Sequence, residues 1–282
     1  MMKKLNSIIG AALIAASGLM AGGAYAAGAG DYKGPEAKLI DWTFGGVFGT
    51  YDKAQLQRGF QVFQEVCSSC HGAELFSFRM LEKEGGPEYS EEQVKALAAS
   101  YTIQDPEHID GERSGVPADK WPNPFESDQD AKDANGGVIP PDFSVLAKAR
   151  NVPQKFPNWI GNYFTAYQEG GADYIYNLLV GYNEPPEGVE VGPGTYWNDH
   201  FHGSGGTLAM AQPIYDEMVD YEGAAPETVD QYAKDVAAFM MWLAEPDMTS
   251  RKQLGFNVLL FLFLFAGMMY MVKRKLWSNV DH

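Results

Sequence analysis

Five stretches of the chain carry a hydrophobic pattern regular enough to predict a helix. In the first, Asp52 to about Val66, Leu56, Phe60 and Phe63 recur at helical spacing and Asp52 stands where an N-cap is needed. Gly59 lies inside this segment, where glycine costs about 1 kcal/mol against alanine. Close approach of another helix would account for it; a merely tolerated glycine is the alternative. The second, Ser90 to Tyr101, opens with Ser90 and Gln93 at the spacing of a capping box. The third follows Pro140-Pro141-Asp142 and runs through Arg150, and the fourth, Ala172 to Val180, puts Tyr174, Leu178 and Leu179 on one face. The fifth spans about Glu227 to Ala244. Val229, Tyr232, Val236, Phe239, Met240 and Leu243 form its apolar stripe, and Glu245-Pro246 ends it.

The intervening segments are polar. Residues 82–137 are acidic and rich in Gly and Pro, and outside the second helix they read as long surface loop, which at that length is functional or mobile. Residues 183–207 form a second Gly- and Pro-rich loop. No repeat and no sustained strand alternation is present, so the expected fold is mainly helix and loop.

Both ends are apolar, in different ways. Met1 to Lys4 are positively charged, Ile8 to Met20 form an apolar stretch of signal-core length, and Ala24-Tyr25-Ala26 offers small residues for cleavage. Residues 1–26 are therefore expected to be a cleaved export signal. Leu254 to Val272 is an uncharged apolar run of 19 residues, close to the roughly 20 that a helix needs to cross a bilayer. Arg251 and Lys252 precede it, and the denser cluster Lys273, Arg274 and Lys275 follows. The positive-inside rule then places the C-terminus in the cytoplasm, while a cleaved signal independently places the rest outside. The expected division is a periplasmic domain over 27–249, a transmembrane anchor over 250–274 and a short cytoplasmic tail over 275–282.

Charge sharpens this picture. Without residues 1–26 and 250–282 the chain keeps 14 basic and 36 acidic side chains, a formal charge of −22. Such a field repels nucleic acid and anionic lipid and speeds encounter with basic proteins; it also serves plain solubility.

The chain has two cysteines, both in Cys67-Ser68-Ser69-Cys70-His71. A disulfide at this spacing would close a tiny loop of little stabilising value. A thioredoxin-like dithiol wants a βαβ context that is missing, and a structural zinc site wants four ligands. Two thiols spaced for the two vinyl groups of a porphyrin, followed at once by a histidine for the iron, are what covalent haem attachment requires. The expectation is one haem c, bound through Cys67 and Cys70, with His71 as proximal ligand.

The residues alone leave the second axial ligand open. Met80 follows His71 too closely to cross easily to the opposite face, Met240 and Met241 belong in or beside an apolar stripe, and Met218 and Met248 lack a distinctive setting. Met210, in the apolar segment Leu208-Ala209-Met210-Ala211-Gln212-Pro213, is the leading candidate, with His200 and His202 as alternatives. An open sixth position would instead suit gas binding.

Several longer segments then carry a resemblance: GTYDKAQLQRGFQVFQEVCSSCH, NGGVIPPDFSVLAKAR, DYIYNLLVGYNEPPEG, LAMAQPIYDEMVDYEG, YAKDVAAFMMWLAEP and the basic-flanked anchor. In order and spacing the chain resembles the cytochrome c1 family of bacterial cytochrome bc1 complexes. The resemblance implies a cytochrome c-like haem domain with long loop insertions plus one C-terminal transmembrane helix. It also implies His–Met ligation by His71 and Met210. Asn135, Pro140, Pro141, Arg150, Tyr174, Leu178, Leu179, Leu208 and Pro213 match positions that line the haem, with Arg150 expected to pair with a propionate. Gln212 departs from the family's usual proline. This chain also lacks the extra cysteine pair that braces the loop before Met210 in some relatives, so that loop is expected to be held by packing alone.

The implied role is a non-catalytic redox subunit. It would take electrons from a Rieske iron–sulfur protein and pass them to a basic cytochrome c, inside a dimeric complex beside cytochrome b, where quinol chemistry occurs. The expected location is the bacterial inner membrane. Glu82, Glu84, Glu88, Glu91, Glu92 and the run Glu126 to Asp133 are candidates for the docking field. A membrane-anchored cytochrome c of another respiratory complex and a haem-based ligand sensor are the rival readings.

Overall fold

The computed structural model describes residues 34–152, 161–162 and 167–278. The expected export signal and the last four residues of the tail lie outside the described residues. Among the described residues the chain is mainly helical. In chain order, α1 is Lys53–Glu65, α2 Glu91–Ala99, α3 Asp128–Ala134, α4 Leu146–Ala149, α5 Gly170–Val180, α6 Val229–Ala244 and α7 Met248–Leu276. Two antiparallel ribbons accompany them: β1 (Thr102–Gln104) with β2 (Glu112–Ser114), and β3 (Tyr196–Trp197) with β4 (Thr207–Leu208).

Helix α6 is the hub, with α1, α4 and α5 packed on it. Its side chains Tyr232, Val236, Phe239, Met240 and Trp242 are all at most 2% exposed, so it is apolar nearly all round, as befits a helix covered on several sides. Thr228 caps its N-terminus by accepting from the Gln231 amide at 3.3 Å. α1 begins where the sequence places it, with Asp52 Oδ1 accepting from the Gln55 amide at 2.7 Å.

Gly59 is the contact point between α1 and α6. A Cβ there would lie 2.0 Å from the Asp235 carbonyl oxygen, so close helix approach, and not mere tolerance, is why glycine is present. One residue earlier, Arg58 donates from Nε to Asp235 Oδ2 at 2.8 Å and from a terminal nitrogen to Oδ1 at 3.1 Å. This bidentate pair locks the register of the two helices around a carboxylate with no solvent exposure. Beside it, Phe60 and Phe63 meet Phe76, Trp121 and Phe239 at centroid distances between 5.2 and 6.3 Å.

Besides the β3–β4 pairing inside the second loop, the structure differs from the expectation in two places. Within 82–137, β1 and β2 form a hairpin pinned by Arg113, which donates to Asp105 at 2.9 Å and to both oxygens of Asp119 at 2.6 and 2.8 Å; α3 follows. These strands are too short to show alternation in sequence. The helix expected after Asp142 and through Arg150 shrinks to the single turn α4, with Arg150 as its C-cap. The cause is local. Asp142 spends one oxygen on the Ser144 amide and the other on the Glu74 amide, both at 2.8 Å, which holds residues 142–144 against 72–75 and out of helical geometry.

Candidate functional site

The 3₁₀ turn Cys67–Ser69 follows α1 directly, so the buried face of α1 fixes where the two cysteines and His71 emerge. The His71 and Cys70 amides both donate to the Cys67 carbonyl, at 2.9 and 3.1 Å. Both thiols are unpaired, and burial, with Cys70 adding, pushes the Cys67 thiol up to about 12. A redox dithiol needs the opposite shift. Among the described residues, no three His, Cys, Asp or Glu side chains gather as a metal-holding group, which leaves the zinc reading without a donor set.

His71 is held on two sides. Its Nδ1 lies 2.8 Å from the Pro141 carbonyl oxygen; a carbonyl only accepts, so Nδ1 carries the proton and Nε2 keeps its lone pair. Its ring stacks on Phe143 with centroids 4.3 Å apart. Burial lowers its basicity, against opposing contributions from Pro141 and Asp142, and so favours the neutral ring that an iron ligand requires. The clamp is closed by the Phe143 amide donating to Gly72 O at 2.9 Å and the Leu75 amide to Ser144 Oγ at 2.9 Å. Two cysteines and an oriented neutral histidine are a donor set that fits covalent haem.

The expected site residues divide into two groups joined by the segment 141–150. Cys67, Cys70, His71 and Pro141 form the first. The second surrounds α5: Tyr174 is raised above the usual phenol range by burial, and the hydrogen-bonding Arg150 guanidinium beside it opposes the shift. Tyr182, raised by burial with Tyr215 and Tyr174 adding, donates its hydroxyl to the Met210 carbonyl at 3.0 Å. Arg150, Tyr174 and Met210 thus share one neighbourhood through Tyr182. Leu178, Leu208, Met210 and Pro213 are half-buried, whereas Leu179 is buried in the central core. Asn135 gives its amide to Ala131 O at 2.7 Å, ending α3. Pro140, five residues further on, is half-buried.

Among the other sulfurs, Met240, Met241 and Met248 are core residues, Met80 accepts from the Ser77 amide at 3.5 Å, and Met218 is 49% exposed. His200 packs at the C-terminal end of α5 with Nδ1 unpartnered, unlike His71.

The loop before Met210 is braced by more than packing. Buried Asn198 donates its side-chain amide to Leu178 O at 2.7 Å and its backbone amide to Gly206 O at 2.7 Å, while the Asp199 amide reaches Gly181 O at 2.9 Å. The β3–β4 pairing closes the loop directly ahead of the methionine. Phe143, Tyr182 and Asn198 were not singled out from sequence. Tyr182 and Phe143 do lie inside segments that carried the resemblance.

Comparison with known proteins agrees with this architecture. The profile of the Cytochrome C1 family matches residues 42–280. "Cytochrome c1" of Blastochloris viridis is 43% identical over 88% of each chain, and "Cytochrome c1" of Rhodospirillum rubrum is 40% identical over 99% of this chain and 100% of its own length. "Cytochrome b/c1" of Bradyrhizobium diazoefficiens is 46% identical over 98% of this chain, which spans 40% of that longer protein. A mainly helical electron-carrier domain with a Cys-x-x-Cys-His haem site and one apolar C-terminal helix defines the class of membrane-anchored c-type cytochromes. Within it, the chain belongs to the cytochrome c1 family, whose members bind haem c and are electron-transfer subunits of bc1 complexes.

Proposed function

We propose that this protein accepts electrons from a Rieske iron–sulfur protein and delivers them to a basic cytochrome c, within a dimeric bc1 complex beside cytochrome b. Cys67 and Cys70 would hold one haem c covalently, and His71 and Met210 would hold its iron. The bound group supplies a one-electron iron couple of raised potential, as His–Met ligation gives. The carrying observation is His71 itself: neutral, stacked on Phe143 and oriented by the Pro141 carbonyl beside two unpaired thiols.

The chain's own residues do the remaining work. Pro141 and Phe143 fix the histidine ring, and the Tyr182 hydroxyl and the Asn198 brace fix the segment that carries Met210. With haem bound, Arg150 would offer a planar guanidinium to a propionate, and Asn135, Pro140, Tyr174, Leu178, Leu179, Leu208 and Pro213 would line the haem and limit water. No proton moves, so no acid–base pair is called for.

Export by residues 1–26, a periplasmic domain over 27–249, an anchor over 250–274 and a cytoplasmic tail from 275 complete the reading, with the bacterial inner membrane as its location. Among the described residues one helix, Met248–Leu276, is long and apolar enough to span a bilayer.

The two acidic groups separate in their surroundings. Lys83 donates to Asp247 at 2.6 Å and Gly86 packs on Trp242, so the 82–92 group sits beside the end of α6 from which the anchor departs. The α3 carboxylates Asp128, Asp130 and Asp133 stand instead thirteen, eleven and eight residues before Pro141, whose carbonyl orients His71. This chain connection to the haem motif supports α3 as the docking field. Electron transfer to a basic cytochrome c should slow with rising salt, and Asp128→Asn, Asp130→Asn and Asp133→Asn together should flatten that dependence. A salt profile unchanged by the triple substitution would reject this docking site.

A further inference from the structure

A groove of about 360 Å³ lies where α7 leaves the soluble domain, between its first turns and the loop that precedes α1. Phe48, Thr50, Thr249, Lys252, Gln253 and Phe256 line it. Phe48 is 74% exposed and neighbouring Val47 is 46% exposed, an unusual pair of apolar side chains to offer to water. The Phe48 ring meets Phe256 edge-on, with centroids 5.3 Å apart. Phe256 is the third residue of the apolar run that starts at Leu254, so at about 1.5 Å per residue Phe48 stands within about 5 Å of the start of that run along the helix axis. That is the depth of the headgroup boundary, where aromatic side chains anchor.

The groove's lining runs along the same axis. On the α7 side Thr249, Lys252 and Gln253 come first and Phe256 and Asn257 last, and Val47, Phe48, Gly49 and Thr50 form the facing loop side. The Lys252 ammonium donates to the Phe44 carbonyl at 2.6 Å; an ammonium has three donors, and this contact takes one. Arg251, its neighbour, is directed instead to Glu245 at 2.5 Å and Gln168 at 3.1 Å. A cation one helical turn before an exposed aromatic pair, at the start of the apolar run, matches one kind of molecule.

We propose that this groove seats a phospholipid of the leaflet that faces the haem domain, its phosphate at Lys252 and the upper acyl chains against Phe48 and Phe256. The proposal rests on the reading that α7 crosses a bilayer. The seat ties the 46–50 loop, and through the Tyr51 hydroxyl bonds to the Met241 and Glu245 carbonyls at 3.2 Å the end of α6, to the membrane surface. It gives the domain a second membrane contact beside its helix.

The test replaces Phe48 with the photo-reactive aromatic p-benzoylphenylalanine in the full-length holoprotein. The protein is studied in bilayers of dioleoylphosphatidylglycerol and, separately, in the assembled complex, with haem absorption confirming the fold. Irradiation should yield an adduct of phospholipid mass in both, and Lys252→Gln should lower its yield about fivefold, the weight of one surface cation near anionic lipid. No lipid adduct, equal yields with and without Lys252, or an adduct to another polypeptide in the complex would overturn the seat. Flotation with liposomes of the same lipid reads the anchor separately. A chain that fails to float removes the spanning helix and the seat together, whereas one that floats without forming the adduct overturns the seat alone.

Discussion

Replacing Gly59 with alanine tests how the haem-bearing helix is held. The new methyl would stand 2.0 Å from the Asp235 carbonyl oxygen and 2.8 Å from Phe239 Cβ. The oxygen belongs to the α6 backbone and cannot rotate aside, so relief requires α1 and α6 to part by about 1 Å, which loosens interior contacts packed at near-crystalline density. The Phe60–Phe239 and Phe63–Phe239 contacts, now at 5.6 and 5.5 Å, open with them, and the Arg58–Asp235 pair is stretched. Overpacking of this kind costs roughly 1–3 kcal/mol, and more when backbone must move. Alanine's helix propensity returns about 1 kcal/mol. The net expectation is a loss of about 2 kcal/mol, read as a urea midpoint lower by about 1 M in denaturation of the full-length holoprotein in detergent. A midpoint equal to or above that of the unaltered protein would refute the account of the helix crossing.

Other consequences follow from separate parts of the molecule. Arg58→Met leaves the buried Asp235 carboxylate without its guanidinium and should cost about 3 kcal/mol in thermal unfolding, partly recovered when Asp235→Leu is added; no recovery would mean that the pair is not the cause. Gly206→Ala forces a side chain onto a backbone φ of +96° and places its Cβ 2.4 Å from the Trp197 ring, so it should weaken the brace ahead of Met210 and shift the ligand field and potential; an unaltered spectrum would count against the brace. Arg113 holds the Asp119 carboxyl below its ordinary value of 3.8. A depressed folded pKa gives stability that is present above the ordinary value and lost as pH falls through the folded one. Amide exchange across residues 102–114 should therefore quicken below about pH 4, and Arg113→Met should remove that step.

What could be read from the chain beforehand follows the range of each interaction. Local signals transferred directly: the Asp52 cap, the Ser90–Gln93 box, now reciprocal at 3.2 and 2.8 Å, and the apolar stripe of α6 are all decided within four residues. The haem motif is contiguous, so its chemistry is visible without a fold. Gly59 announced a close approach but not its partner, because Asp235 lies 176 residues further on. Phe143 against His71 and Tyr182 against Met210 were beyond reach for the same reason: neither pairing leaves a periodicity. The third helix failed instructively. Its propensity was adequate, but Asp142 found better hydrogen bonds to Ser144 and Glu74 than a helical turn would provide. The brace on the Met210 loop was hidden because Asn198 looked like one polar residue among many in a glycine-rich stretch, and only its burial reveals its use.

The ligand pair is the centre of the account, and the visible and near-infrared spectrum of the oxidised protein, with and without Met210→Leu, tests it most directly. The account predicts a Met–iron charge-transfer band that disappears in the variant, with carbon monoxide binding appearing on reduction. A spectrum unchanged by the substitution would move the sixth ligand to His200, His202 or another methionine and contradict the assignment of Met210.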